Sequence, residues 1–356
     1  YMNKSIAAAF IAVLALSSCC NNDGGKFTES SLFLELPEYC PTPDGMAIDE
    51  NGNLILACPN FADTSKPAVL MKITPDGKIS KWMDVPVLEE TGLAAPMGID
   101  FGEDGELYIC DNQGWSGSEH GQNRGRLLKL TFNKNGEPVD TIIVATGMEH
   151  PNGVKVHNGK IYVTQSLLTP MSTKKTVSGV YCFTCDDRDI TVTNSNSDKN
   201  LLFTIETENP EVKYGLDGIV FDSTGNLYVG NFGDGSIVKV TFDENDNVMK
   251  KIVWVQSPEQ LKSVDGLCID SATGNMYVAD FSANAIACVT PDGVVTRIAQ
   301  SPDCDGSDGG LDQPGEPIVW QGKLIVSCFD AVTGADKVNT AHDKPYTLAQ
   351  IELDRK

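Results

Sequence analysis

Six residues, most of them acidic or amide, recur at spacings that could bring them to one point. Asp44, Met97, Asn152, Asp217, Asp265 and Glu316 each open a similar run, at intervals of 53, 55, 65, 48 and 51 residues. Examples are DGMAIDENGNLILA from Asp44, NGVKVHNGKIYVT from Asn152 and DGLCIDSATGNMYVA from Asp265. Four carboxylates and an amide aimed into one narrow space would repel one another if nothing lay between them. A hard cation resolves that repulsion, and calcium, among divalent ions, takes six to eight oxygen ligands of this type. Asp-Gly and Asn-Gly also begin turns, but turn chemistry does not explain why an acid precedes the strand so often.

The elements that must position these residues are short strands. In the unit 217–243, Ile219–Phe221, Leu227–Val229 and Ser236–Phe242 read as β-branched and aromatic runs separated by Gly- and Asn-containing turns. A multi-strand unit repeating about every 50 residues is the signature of a β-propeller. The fold expected is all-β, a single six-bladed β-propeller over residues 31–356. The sixth unit is one strand short, so SLFLELP (31–37) is expected to close the ring as its outermost strand, which removes exposed edges.

In such a ring the inner strand of each blade lines a channel, and loops alternate between two faces. The turns between first and second strands are short, whereas 59–67, 111–125, 165–178, 301–315 and 328–345 are long and fall on the other rim. Long loops on a rigid scaffold are where binding sits. Two histidines, His120 and His150, lie in or beside them and could serve as general bases near neutral pH. Trp115 is a candidate ligand wall. A second ring, Cys58, Asp111, Gln165, Asn231, Asp280 and Cys328, ends the second strands. From it Asp111, Gln165 and Asn231 are candidate substrate contacts, Asp280 a structural acceptor, and Cys58 and Cys328 unpaired thiols.

Composition narrows the function classes. A formal charge of −22 excludes a basic phosphate-binding surface, so no nucleic-acid partner is expected. There is no GxSxG elbow, no GxGxxG loop and no paired CxxC motif, which leaves serine-hydrolase, dinucleotide and zinc-finger readings without support. Residues 1–18 read as a signal peptide whose apolar core, Ile6–Leu16, is too short to span a bilayer. LSSC (16–19) looks like a bacterial lipobox, so lipid on Cys19, a flexible tether over 19–30 and an exported protein held to the cell envelope only by its anchor are expected.

PDGMAID, HPNGVKV, LDGIVFDSTGNLYVGNF and VDGLCIDSATGNMYVADF resemble the blade motifs of the regucalcin/gluconolactonase propellers, with paraoxonase and diisopropylfluorophosphatase types as relatives. The resemblance implies a channel calcium (or another divalent cation) held by Asp44, Asn152, Asp217 and Asp265, with Glu316 as an additional acid and blade 2, which carries Met97, silent. It also implies Asp265 as base or nucleophile. Gluconolactonases carry an arginine two residues before the blade-3 asparagine; His150 stands there instead. The expectation is a monomeric, calcium-dependent hydrolase of small lactones or esters. The alternative is a non-catalytic propeller that binds a carbohydrate or protein through its long-loop rim.

Overall fold

The computed structural model describes residues 27–331 and 337–354. The signal segment, Cys19 and the tether up to residue 26 lie outside the described residues. No helix among the described residues is long and apolar enough to cross a membrane.

Six small sheets form the ring. The chain opens with β1 (Ser30–Glu35). Blade 1 follows with β2 (Met46–Ile48), β3 (Leu54–Cys58), β4 (Val69–Ile73) and β5 (Ile79–Asp84). Blade 2 has β6 (Pro96–Phe101), β7 (Leu107–Asp111), β8 (Gly125–Phe132) and β9 (Pro138–Met148). Blade 3 has β10 (Pro151–His157), β11 (Lys160–Gln165) and β12 (Thr176–Thr184); the excursion β13 (Ile190–Thr191) precedes its outer strand β14 (Leu201–Thr207). Blade 4 has β15 (Leu216–Phe221), β16 (Leu227–Asn231), β17 (Ser236–Phe242) and β18 (Val248–Gln256). Blade 5 has β19 (Leu267–Ile269), β20 (Met276–Asp280), β21 (Ala285–Val289) and β22 (Val295–Gln300). Blade 6 has β23 (Pro314–Trp320), β24 (Lys323–Cys328) and β25 (Thr347–Glu352), and β1 completes it in the order β1-β25-β24-β23.

The closing strand is the one expected. β1 runs antiparallel to β25, Ser30 opposite Ile351 and Glu35 opposite Thr347, with Phe33 set edge-on to Trp320 at 5.8 Å. One stretch differs from the sequence reading. The polar segment 185–200 is not wholly a loop, because β13 crosses to blade 2 and pairs parallel with β9, Ile190 against Ala145. Two residues of strand carry too little pattern to be seen in a sequence.

Why the second strands read as unbroken apolar runs is clear from where their alternate faces go. In β3, Leu54, Leu56 and Cys58 pack toward blade 6, while Ile55 and Ala57 pack toward blade 2. Side chains alternate across a strand, so a strand between two neighbours needs apolar residues on both faces. The same division gives one buried core between each adjacent pair of blades among the described residues. The outer rim turns are held by their own aspartates: Asp222 Oδ1 accepts from the backbone N–H groups of Thr224 and Asn226, each at 2.9 Å.

Removing residues 1–38 deletes β1 and bares the backbone edge of β25. Size-exclusion chromatography should then show aggregate, and circular dichroism a loss of native sheet signal; a soluble, folded monomer would overturn β1 as the closing element.

Candidate active site

The six inner strands converge because glycine stands where they touch. A Cβ placed on Gly45 would lie 2.2 Å from Met97 O, on Gly98 2.6 Å from Asn152 O, on Gly153 2.6 Å from Asp217 O, and on Gly218 2.4 Å from Asp265 O. No side chain fits at such distances, so the residue-glycine dipeptide that opens the first five units reflects contact between blades. The residue before each glycine is thereby carried to the channel. Asp44, Asn152, Asp217 and Met97 are buried there and Asp265 is half-buried, and all five line one pocket of ≈ 280 Å³ on the long-loop rim.

The acids lean on one another. Asn152 Nδ2 donates to Asp217 Oδ2 at 2.8 Å, and Asp217 is hydrogen-bonded to Asp265, which requires a shared proton. Burial pushes Asp44 up to about 7, and burial together with the Asp44 charge pushes Asp217 up to about 8. Asp265 is raised well above the usual carboxylate range by burial first and by Asp217 and Asp44 next. Among the described residues no three acidic, His or Cys groups surround a common point as the side chains stand. The donor set still fits a hard cation: three buried carboxyls and an amide, with other carboxylates as the main charges acting on Asp217 and Asp265. Asn152 offers its amide oxygen only in the orientation opposite to the one that donates to Asp217.

Glu316 does not belong to this ring. Asp217 lies between the paired positions Leu216↔Asn231 and Ile219↔Val229; between the matching pairs Pro314↔Cys328 and Pro317↔Val326, its equivalent is Gly315. Glu316 occupies the position of the inter-blade glycine, and its Oε2 crowds the spot where Gly266 has no side chain. A one-residue shift sends a side chain to the other face of a strand. Its carboxyl therefore lies with Lys155 and Asp100 away from the pocket lining, and burial keeps it protonated far above the usual range.

The second ring lies beneath the pocket. Asp111 is fully buried, accepts from Ala95 N at 2.7 Å and pairs with Arg126 Nε at 2.6 Å. Gln165 accepts from His150 N at 2.8 Å and donates to Asn194 at 2.7 Å, and Asn231 accepts from Thr207 Oγ1 at 3.2 Å. None of the three reaches the pocket lining, so they position loops and offer no surface to a substrate. Asp280 is likewise an acceptor, for Ser263 and Lys262 N–H groups and Arg297. Cys58 and Cys328 are buried free thiols.

The pocket walls come from the residue one step further on. Phe232 follows Asn231, Phe281 follows Asp280 and Phe329 follows Cys328, and all three line the pocket with Trp115, His150 and Tyr214. Their rings touch in series. Centroids are 4.5 Å apart for Tyr214 and His150, 6.3 Å for His150 and Trp115, 5.5 Å for Trp115 and Phe329, 5.9 Å for Phe329 and Phe281, and 5.6 Å for Phe281 and Phe232. This aromatic collar stands over the acid ring, and Lys213 and Lys337 also line the pocket. The sequence reading missed the three phenylalanines, although YVGNF, YVADF and IVSCF show the pattern.

His150 is in the collar and His120 is not; the latter sits exposed on the rim loop. Asn112 Oδ1 accepts from Gly114 N at 3.1 Å, which turns the Asn112 amide so that its NH₂ donates to His150 Nδ1. The proton of the neutral ring is then on Nε2. Burial, with Lys213 nearby, lowers His150 to about 3. It is a neutral hydrogen-bond donor, poorly suited to act as a base.

Residues 234–306 match the sequence profile of the SMP-30/gluconolactonase/LRE-like region, a span covering the end of blade 4 and all of blade 5. No curated protein sequence matches the chain. Among solved structures, a luciferin-regenerating enzyme is 13% identical with TM-score 0.61, over 92% of this chain and 96% of that one. A calcium-binding regucalcin from Agrobacterium tumefaciens is 13% identical with TM-score 0.57, over 91% and 93%. A gluconolactonase from Xanthomonas campestris is 14% identical with TM-score 0.54, over 92% and 87%. The resemblance to regucalcin/gluconolactonase propellers thus holds in architecture across the ring and in sequence over this segment.

Two measurements check these roles. Arg126→Ala leaves Asp111 as an uncompensated buried charge and should cost about 3–5 kcal/mol in denaturant unfolding; a cost under about 0.5 kcal/mol would return Asp111 to the substrate candidates. For His150, the folded pKa lies below the unfolded one, so protonation favours unfolding and stability falls as pH drops below about 6.5. Ring-nitrogen NMR should find His150 neutral with Nε2–H down to about pH 4, and a titration near neutrality would contradict the Asn112 contact.

Proposed function

We propose that the protein is a lactone or ester hydrolase whose substrate has an apolar or aromatic body. The observation that carries this reading is the pairing of an acid floor (Asp44, Asn152, Asp217, Asp265) with an aromatic collar in one pocket of ≈ 280 Å³. Similarity to proteins described as gluconolactonases supports the reaction class. The collar and the histidine at position 150 favour an apolar acyl or ring group over a polyhydroxylated sugar, since apolar walls reward burial of apolar surface.

A divalent cation, calcium by the oxygen chemistry of the donors, would be held by Asp44, Asn152, Asp217 and Asp265 and would supply polarisation of the substrate carbonyl. The chain's own residues supply the remainder. Asp265 keeps partial access to the pocket and has a carboxyl partner in Asp217, so its ionised form can take a proton from an attacking water. Oxygen from that water joins the acyl carbon, the acyl–oxygen bond breaks, and the proton passes to the departing alkoxide to give an acid and an alcohol. His150, neutral with its proton on Nε2, donates to an oxygen that gains charge in the transition state. Trp115 and the three phenylalanines exclude water from the acyl portion.

Asp265→Asn should preserve the fold and lower kcat by about 10²–10⁴-fold toward aryl esters and lactones. Chelator should abolish hydrolysis and added calcium restore it, while Asp44→Ala should not recover with calcium. Unchanged turnover in Asp265→Asn would remove Asp265 from the chemistry; no hydrolysis by wild type, together with saturable ligand binding at the collar, would favour a binding propeller instead.

A further inference from the structure

A second group of oxygens lies apart from the channel, where the linker into blade 6 meets the long loop between β24 and β25. Asp312, Asp330, Asn339 and Thr347 are each 1% exposed. Among the described residues, Asp312 Oδ1, Asn339 Oδ1 and Thr347 Oγ1 have no hydrogen-bond partner. The backbone of Gly306 brings two of these residues together: a Cβ there would sit 2.6 Å from Thr347 Oγ1 and 3.4 Å from Asp312 Cβ. Asn339 Nδ2 reaches Asp330 Oδ1 at 3.4 Å, which ties the third residue to a second carboxylate. A buried oxygen without a partner loses its hydration and gains nothing in return, so oxygens left in this state call for an occupant.

The charges around them indicate what kind. The groups that act most on Asp312, after its burial, are Asp330, Asp343, Asp303 and Asp305, all of one sign. His342 Nδ1, 3.1 Å from Asp330 Oδ2, and Asp343 N, 2.9 Å from the same oxygen, satisfy one side of Asp330 only. A proton on Asp312 would relieve the repulsion but leave Asn339 and Thr347 unpartnered, and a water would do the reverse. A cation answers both.

We propose that Asp312, Asp330, Asn339 and Thr347 hold a second divalent cation of the calcium class, separate from the acid ring of the channel. Two carboxylates, an amide oxygen and a hydroxyl are hard, oxygen-only donors, a set that suits calcium and leaves room for waters. The set also agrees with the lack, among the described residues, of three acidic, His or Cys groups around one point. Its position gives it two structural consequences. Thr347 pairs with Glu35 of β1, so the ion would brace the strand that closes the ring. Phe329, adjacent to Asp330, is a wall of the aromatic pocket, so the same ion would hold one side of the collar.

The test uses the full chain, stripped of metal by chelator and titrated with calcium by calorimetry. Asp312→Asn and Asn339→Ala should each reduce the number of calcium ions bound per chain by one, or weaken one binding event by at least ~10-fold, whatever the channel binds. Calcium at ~100 times its Kd should raise the Tm of wild type by roughly 3 °C or more, and both variants should lose part of that rise. If Asp312→Asn fails to fold, Asn339→Ala, which leaves every charge in place, decides alone. Unaltered calcium stoichiometry and affinity in the folded variants would overturn the site. So would zinc binding that outcompetes calcium and disappears with Cys304→Ser, because the half-buried thiol of Cys304, packed against Gly310 in the same linker, would then be a donor.

Discussion

How closely six inner strands can approach depends on a column of glycines. Gly45, Gly98, Gly153 and Gly218 each face a neighbouring blade's carbonyl at a distance that excludes a Cβ, and this contact sets the width of the channel. The residue preceding each glycine has no freedom to move away, and where that residue is an acid, like charges are forced into one small space. The elevated carboxyls of Asp44, Asp217 and Asp265 are therefore a consequence of backbone packing as much as of side-chain choice. A fold that holds such groups together stores electrostatic work, which binding of a cation or a proton can release.

The end of each second strand divides two tasks between consecutive residues. The last strand residue points inward and is satisfied by neighbouring loops: Asp111 by Ala95 and Arg126, Asp280 by Ser263 and Arg297. The next residue turns out to the rim, and in three blades it is a phenylalanine facing the pocket. The polar layer fixes the loops and the aromatic layer uses the fixed loops as its support. This arrangement explains why Gln165, Asn231 and Asp111 look functional by position yet expose almost nothing to a ligand.

Much of this was legible because a propeller repeats. The period, the strand-rich units, the closing strand 31–37 and the residues lining the channel in blades 1 to 5 all follow from spacing and alternation. Blade 6 shows where that method stops. Its PGEP lacks the residue-glycine dipeptide, and alignment on the acid placed Glu316 one position out; the ladder pairing of Pro314 with Cys328 puts Gly315 in the ring instead. Contacts between residues distant in sequence were also out of reach. Nothing local marks Arg126 as the partner of Asp111, Asn112 as the group that sets the His150 tautomer, or β13 as a strand belonging to a neighbouring blade.

The net charge of −22 has a structural meaning once the acids are located. An excess of carboxylates spread over a surface costs little, because water and salt screen it. Here part of the excess is buried in two places: the channel floor, which lacks a matching base, and the Asp312–Asp330 group beside blade 6, where His342 pairs with Asp330 but the charges acting most on Asp312 are all carboxylates. Elsewhere in the same ring a buried acid does receive a base, as Asp111 and Asp280 receive arginines. Those pairs show that this fold can place a cationic side chain beside a buried carboxylate where neutralisation is all that is needed. Acids left without one, beside amide and hydroxyl oxygens that also lack partners, suit a counter-charge that comes from solution and can leave again.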